Sequence, residues 1–140
     1  MLYRPLPRGR RAAAATVELA VLLPFLAFVF VVTIDFSRIF YCSLTVANCA
    51  RNGAVYGSAD AQHALDTAGI DAASRDDAGN LDSQQLSVTS ATDSQVNPSY
   101  LDVTVTYPFS TITRYPWVPS QLTIQRKVRV SVVPATPNLP

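Results

Sequence analysis

From Ala12 to Ile34 the chain runs for 23 residues with Glu18 as the only ionisable group, and from Leu19 to Ile34 nothing is more polar than Thr33. As a helix rising about 1.5 Å per residue, the stretch spans roughly 34 Å, enough to cross a hydrocarbon core of about 30 Å. Leu, Val, Phe and Ala dominate it on every side, whereas the core helix of a soluble protein carries its apolar residues as a stripe. A continuous helix also satisfies its own backbone groups, which lipid cannot do. The segment therefore predicts a membrane helix, with Leu19, Pro24, Phe28 and Ile34 marking its course. Pro24 removes the amide that would bond the Ala20 carbonyl, so a kink or local unwinding is expected there.

The flanks orient it. Arg4, Arg8, Arg10 and Arg11 precede the segment and no acid does, which by the positive-inside tendency keeps residues 1–13 cytoplasmic and sends 35–140 outside. A cleaved secretory signal has the same general form, but Ile34-Asp35-Phe36-Ser37-Arg38 follows the run where small residues would be needed for cleavage. Beyond Ile34 the chain carries seven basic and nine acidic side chains, giving a net charge of +1 overall. That balance argues against nucleic acid as a partner.

Past Asp35 the helical pattern meets no breaker until Gly53 and Gly57. Phe36, Ile39, Phe40, Ser43, Ala47, Ala50 and Ala54 recur at three- and four-residue spacing, which predicts one helix from about Ala14 to about Tyr56, half in lipid and half the spine of an outer domain. Asp35 and Arg38, three apart, read as a solvated pair at the membrane surface. Ala61, Ala64, Leu65, Ala68 and Ala72 predict a second, weakly apolar helix ending before Gly79-Asn80. Period-two alternation then marks strands around Leu86 and Val88, from Leu101 to Phe109, and from Leu122 to Val132. The expected fold is α+β: a long N-terminal helix, a second short helix and an antiparallel sheet of three or four strands. Pro108 to Pro119 reads as a proline-stiffened loop outside the sheet, with Tyr115 and Trp117 as a subunit-contact surface, an interfacial anchor or a cover for the core. Residues 134 to 140 read as an extended tail.

Little in the sequence points to catalysis. His63 stands alone in an Ala-rich helix, phosphate-binding glycine loops and CxxC pairs are missing, and no cofactor is expected. Asp76, Asp77, Asn80 and Asp82 lack the spacing of a calcium loop and read as a polar turn. Cys42 and Cys49, seven apart on one helix, lie about 10.5 Å apart along its axis, too far for a disulfide with each other. They share a face, which leaves an intersubunit bond or two small buried groups.

Arg10-Arg11-Ala12-Ala13-Ala14-Ala15-Thr16-Val17-Glu18-Leu19, followed by the apolar run, resembles the N-terminal signal of type IV prepilin-like proteins. In that class a membrane peptidase cuts before the apolar segment and the glutamate becomes the fifth mature residue. The resemblance implies a cut between Ala13 and Ala14, with Ala13 standing where the family has Gly. A new amine at Ala14 and the carboxylate of Glu18 would then form a charge pair in a water-poor region, between neighbouring subunits. Asp35-Phe36-Ser37-Arg38-Ile39-Phe40-Tyr41, Asn48 to Gly57 and Val103 to Phe109 extend the likeness to TadE-like minor pseudopilins of the tight-adherence pilus system. This resemblance implies a non-enzymatic subunit of the bacterial cytoplasmic membrane, single-pass with its C-terminal domain outside. It further implies membrane lipid, a prepilin peptidase, other pilins or pseudopilins and the Tad assembly platform as partners, and self- or hetero-oligomers. From the residues alone, a membrane-anchored binding module that never polymerises remains the alternative. The implied domains are a basic leader 1–13, a membrane half 14–34 and an outer domain 35–140.

Overall fold

In a computed structural model, the structure describes residues 8–79, 81–93, 99–112 and 119–133, with side chains from residue 13 onward. One helix dominates it. α1, Arg8–Gly57, runs for 50 residues and passes through Pro24 as one helical element. It starts six residues earlier than the sequence pattern indicates, so the basic segment from Arg8 is helical too. The most apolar 18-residue window of α1 has none of its residues buried by the rest of the chain. Only above Asp35 does the helix acquire a protein environment.

That upper half of α1 is the spine of a small α+β domain. The sheet is antiparallel, in the order β1-β2-β3, with β1 Ser87–Asp93, β2 Tyr100–Ser110 and β3 Gln121–Ser131. Along β2 the alternation is clean: Leu101, Val103, Val105 and Phe109 are buried against the helix, while Asp102, Thr104 and Thr106 face away. Apolar partners on β3 stand opposite three of these, Leu101 with Val130, Val103 with Val128 and Phe109 with Leu122, while Val105 faces Arg126. The core joins these to Val46, Cys49, Ala50 and Ala54 of the helix and to Ile70 and Leu86. Three strands thus bury the single apolar face that period-two patterning gives them, as expected.

Four local expectations are corrected. The region 58–83 holds two helices, α2 Ala61–Leu65 and α3 Thr67–Asp76, because Asp66 ends one and caps the other: its carboxylate accepts from the Gly69 N–H at 2.9 Å. Their buried face is Ala64, Ile70 and Ser74, while Leu65 is 71% exposed and Ala61, Ala68 and Ala72 are also exposed. On α1 the packed face is Asp35, Val46, Cys49, Ala50, Gly53, Ala54 and Gly57, and Phe36 and Phe40 turn outward. Toward the far end of α1 only small residues fit this face, because α3 and β2 approach the helix closely there. A Cβ at Gly53 would collide with Ser74 Oγ, and one at Gly57 with Leu101 Cδ2. Finally, β2 continues through Pro108, which pairs with Thr123. β1 reaches β2 only as far as Thr106, so at Pro108 the strand has become an edge, where a missing N–H is tolerated.

Arg75 holds the connection from α3 to β1. Its Nε donates to Asp71 at 2.7 Å and its Nη2 to the Leu86 carbonyl at 2.9 Å, while Nη1 reaches the Ser83 carbonyl. Pairing with the Asp71 carboxylate raises the already high guanidinium pKa further.

Candidate functional site

Contacts between α1 and β2 set the height of the domain on its helix. Gly57 abuts Leu101 at the far end, the Arg38 guanidinium stacks on the Phe109 ring at 5.1 Å, and Asp35 Oδ1 accepts from the Ile112 N–H at 3.1 Å. β2 therefore runs antiparallel to the helix, descending from residue 101 to residue 112 as the helix ascends from 35 to 57. The lengths agree, at roughly 33 Å of helix and roughly 36 Å of strand. Asp35 immediately follows the apolar run, so the end of β2 comes down to the level where that run stops.

At this junction the sequence reading of Asp35 and Arg38 as a solvated surface pair needs correction. Asp35 is only 6% exposed, and the ion pair to Arg38 Nη1 is long, at 3.4 Å. The better-formed bond is the one to Ile112, 77 residues away in sequence. A buried carboxylate between a main-chain amide and a guanidinium is compensated from both sides. It ties the foot of the sheet to the helix. Below Ser110 the chain closes through the Thr111 N–H, which donates to the Ser120 carbonyl at 3.1 Å. Tyr115 and Trp117, which belong to the loop so closed, lie outside the described residues, as do the tail 134–140 and Asn80.

Lower on α1, Ala13, Ala14 and Glu18 are all exposed, and Ala14 and Glu18 lie one turn apart on the same helix face. Leu19 and Phe28 are exposed at 57% and 46%, and Ile34 at 40%. Cys42 and Cys49 are both free, with Cys49 in the core and Cys42 half-buried at its edge. Burial pushes both thiols up from their ordinary pKa, so they are poor nucleophiles.

The polar cluster at the distal end serves local structure. Asp60 caps α2, accepting from the Gln62 and His63 N–H groups at 2.8 Å, and its second oxygen lies 2.8 Å from His63 Nδ1. Those bonds hold the Asp60 carboxyl below its usual pKa. The Tyr56 hydroxyl donates to Asp66 at 2.8 Å, which raises the phenol's pKa, while the Gly69 N–H and then this hydroxyl lower that of the carboxylate. Asp82 accepts from the Gln84 N–H at 3.0 Å and from Gln85 Nε2 at 2.8 Å, closing a turn. Among the described residues no three His, Cys, Asp or Glu side chains group as metal ligands. A groove of about 300 Å³ lies above the Asp35 junction, between Arg38, Tyr41, Cys42, Gln85 and Tyr107.

Sequence reasoning missed the Asp35 latch because its partner is a main-chain amide with no sequence signature. A buried acid one residue past an apolar run was the available signal.

Fold and site together define a class: an apolar helix of membrane-spanning length, the one such helix among the described residues, that continues as the spine of a small α+β domain. The sequence model of the family described as TadE-like protein matches residues 13–55, the part of α1 that holds both the span and the spine. This match bears out the TadE-like resemblance read from the residues, and it supports a protein associated with the tight-adherence pilus, single-pass in its membrane anchoring. No curated protein and no solved structure gives a significant match.

Proposed function

We propose that the chain is a non-enzymatic minor pseudopilin: a subunit held in the bacterial cytoplasmic membrane by residues 14–34, with its leader 1–13 inside and 35–140 outside. In this reading a prepilin peptidase removes the leader between Ala13 and Ala14. The mature subunit then assembles with other pilins or pseudopilins at the Tad platform through its apolar helix. The observation that carries the reading is the division of α1. Its apolar window is wholly unburied within this chain, its upper half is packed as a spine, and the TadE-like match covers both.

Glu18 has a specific part in this proposal. A carboxylate near the rim of a bilayer costs little while it reaches water, but more once neighbouring helices close around it. The amine released at Ala14 supplies the compensating charge. Within one chain the two groups are a helical turn apart, and between neighbours the pair sets the axial register.

N-terminal sequencing of the membrane-extracted protein tests it. The sequence should begin at Ala14, and Glu18→Ala should leave the protein in the membrane but out of assemblies recovered by gentle detergent extraction. An intact leader together with unaltered assembly of the Glu18 variant would overturn the proposal.

A further inference from the structure

The outer domain stands on its helix with its lower rim at the level where the apolar run ends, and that rim exposes large apolar side chains among uncharged polar ones. Ile112, whose amide bonds Asp35, exposes 67% of its surface. Leu122 pairs with buried Phe109 on the helix-facing side of the sheet, yet it is 39% exposed where Ile124 above it is 6% exposed. The core's last rung therefore opens downward. Ile34 and Phe36, on the helix at the same height, expose 40% and 70%.

Charge is distributed to match. Among the described residues 34–41, 109–112 and 119–123, Asp35 and Arg38 are the charged groups; Asp35 is buried and Arg38 lies over the Phe109 ring. Ionic side chains of the sheet begin higher, at Arg126, Lys127, Arg129 and Asp102. Such a rim, with Arg38 as its one outward charge among the described residues and continuous with a lipid-crossing helix, has the character of surfaces that enter the interfacial layer of a bilayer.

We propose that Phe36, Ile112 and Leu122 seat the foot of the outer domain in the headgroup and upper acyl region of the outer leaflet, so that the domain is docked on lipid. This rests on the membrane-anchored reading above. Its occupant is the lipid surface, chosen because the rim adjoins the spanning helix and the Asp35 latch holds Ile112 at the depth where that helix leaves the hydrocarbon. Arg38 stands just above, at the height of lipid phosphates. Docking also fixes the domain's tilt, since the latch makes helix and sheet foot one rigid unit.

The test uses the full chain at high lipid excess in vesicles of mixed phosphatidylcholine and phosphatidylglycerol. Trp117, the chain's one tryptophan, is changed to Phe, and single tryptophans are introduced as Phe28→Trp, Ile112→Trp, Leu122→Trp and Val55→Trp. All four positions are exposed, so the fold should tolerate them. Lipids brominated high on the acyl chain should quench Ile112→Trp and Leu122→Trp, lipids brominated deep should quench Phe28→Trp, and neither should quench Val55→Trp. Quenching of Phe28→Trp with none at Ile112→Trp and Leu122→Trp would overturn the docking while leaving the anchor intact, and would assign the rim to a protein neighbour. Absence of quenching at Phe28→Trp would overturn both.

Discussion

Replacing Asp35 by Ala removes the acceptor that holds the Ile112 amide and leaves that N–H facing a packed junction. The bond is 3.1 Å long and its acceptor residue only 6% exposed, while the contact to Arg38 is 3.4 Å with the Arg38 side chain 43% exposed. Most of the effect should therefore come from the main-chain bond, since a half-exposed ion pair contributes about 1 kcal/mol or less. A hydrogen bond to a charged acceptor contributes about 1.5–3 kcal/mol, which corresponds to roughly a ten- to hundredfold rise in the local opening equilibrium when it is lost. Hydrogen exchange of the full chain in detergent micelles reads this directly. The Ile112 amide and the adjoining end of β2 should exchange faster by that factor in Asp35→Ala, whereas amides around Leu101, near the other end of the strand, should be unchanged. Asp35→Asn keeps an acceptor oxygen and should give the smaller effect. Equal Ile112 exchange in wild type and Asp35→Ala would refute the latch.

Gly57→Ala pushes a methyl group into Leu101 and Ile70, both fully buried. Overpacking of this kind costs about 1–3 kcal/mol, and the residue ends its helix, so little propensity is regained; thermal unfolding should show a lower Tm. Ser74→Ala should do the reverse. Its hydroxyl is buried with no hydrogen-bond partner among the described residues, so removing it should raise stability by about 1 kcal/mol, seen as a higher Tm. Asp102 accepts from Arg129 Nε at 2.7 Å, and its other oxygen lies 2.9 Å from Lys127 Nζ, which holds its carboxyl well below the usual range. A depressed folded pKa gives stability that is present above the unfolded value of about 4 and lost as pH falls. The Tm difference between wild type and Asp102→Asn, measured from neutral to acid pH, should therefore shrink below about pH 4, and a widening gap would contradict the assignment.

Much of this architecture was legible because it depends on patterns that neighbouring residues carry. The length of the apolar run predicts the span, and period-two alternation from Leu101 to Phe109 predicts the central strand with its buried face. Where the reading fails, the deciding contact is remote or the cue is a cap. Phe36 and Phe40 have the size and spacing of a core stripe, yet the buried face of α1 runs through Asp35, Val46, Cys49 and Ala50 instead, and at its far end Gly53 and Gly57 let α3 and β2 come close. Asp66 interrupts an Ala-rich run by capping the next helix, a signal present in the sequence but outweighed there by periodicity. Asp35 was visible as an acid at a membrane boundary, but its partner lies 77 residues away and donates through the backbone, which no side-chain pattern reports. Pro108 reads as a strand breaker until the short β1 shows that β2 is an edge at that point.

The central claim is that α1 is at once a lipid-embedded anchor and the spine of the outer domain. Alkaline washing of membranes from cells expressing the full chain tests it most directly, because the wash strips peripheral proteins and leaves helices that cross the bilayer. The account predicts that the chain stays with the sedimented membranes. Release of the folded chain into the supernatant would contradict it.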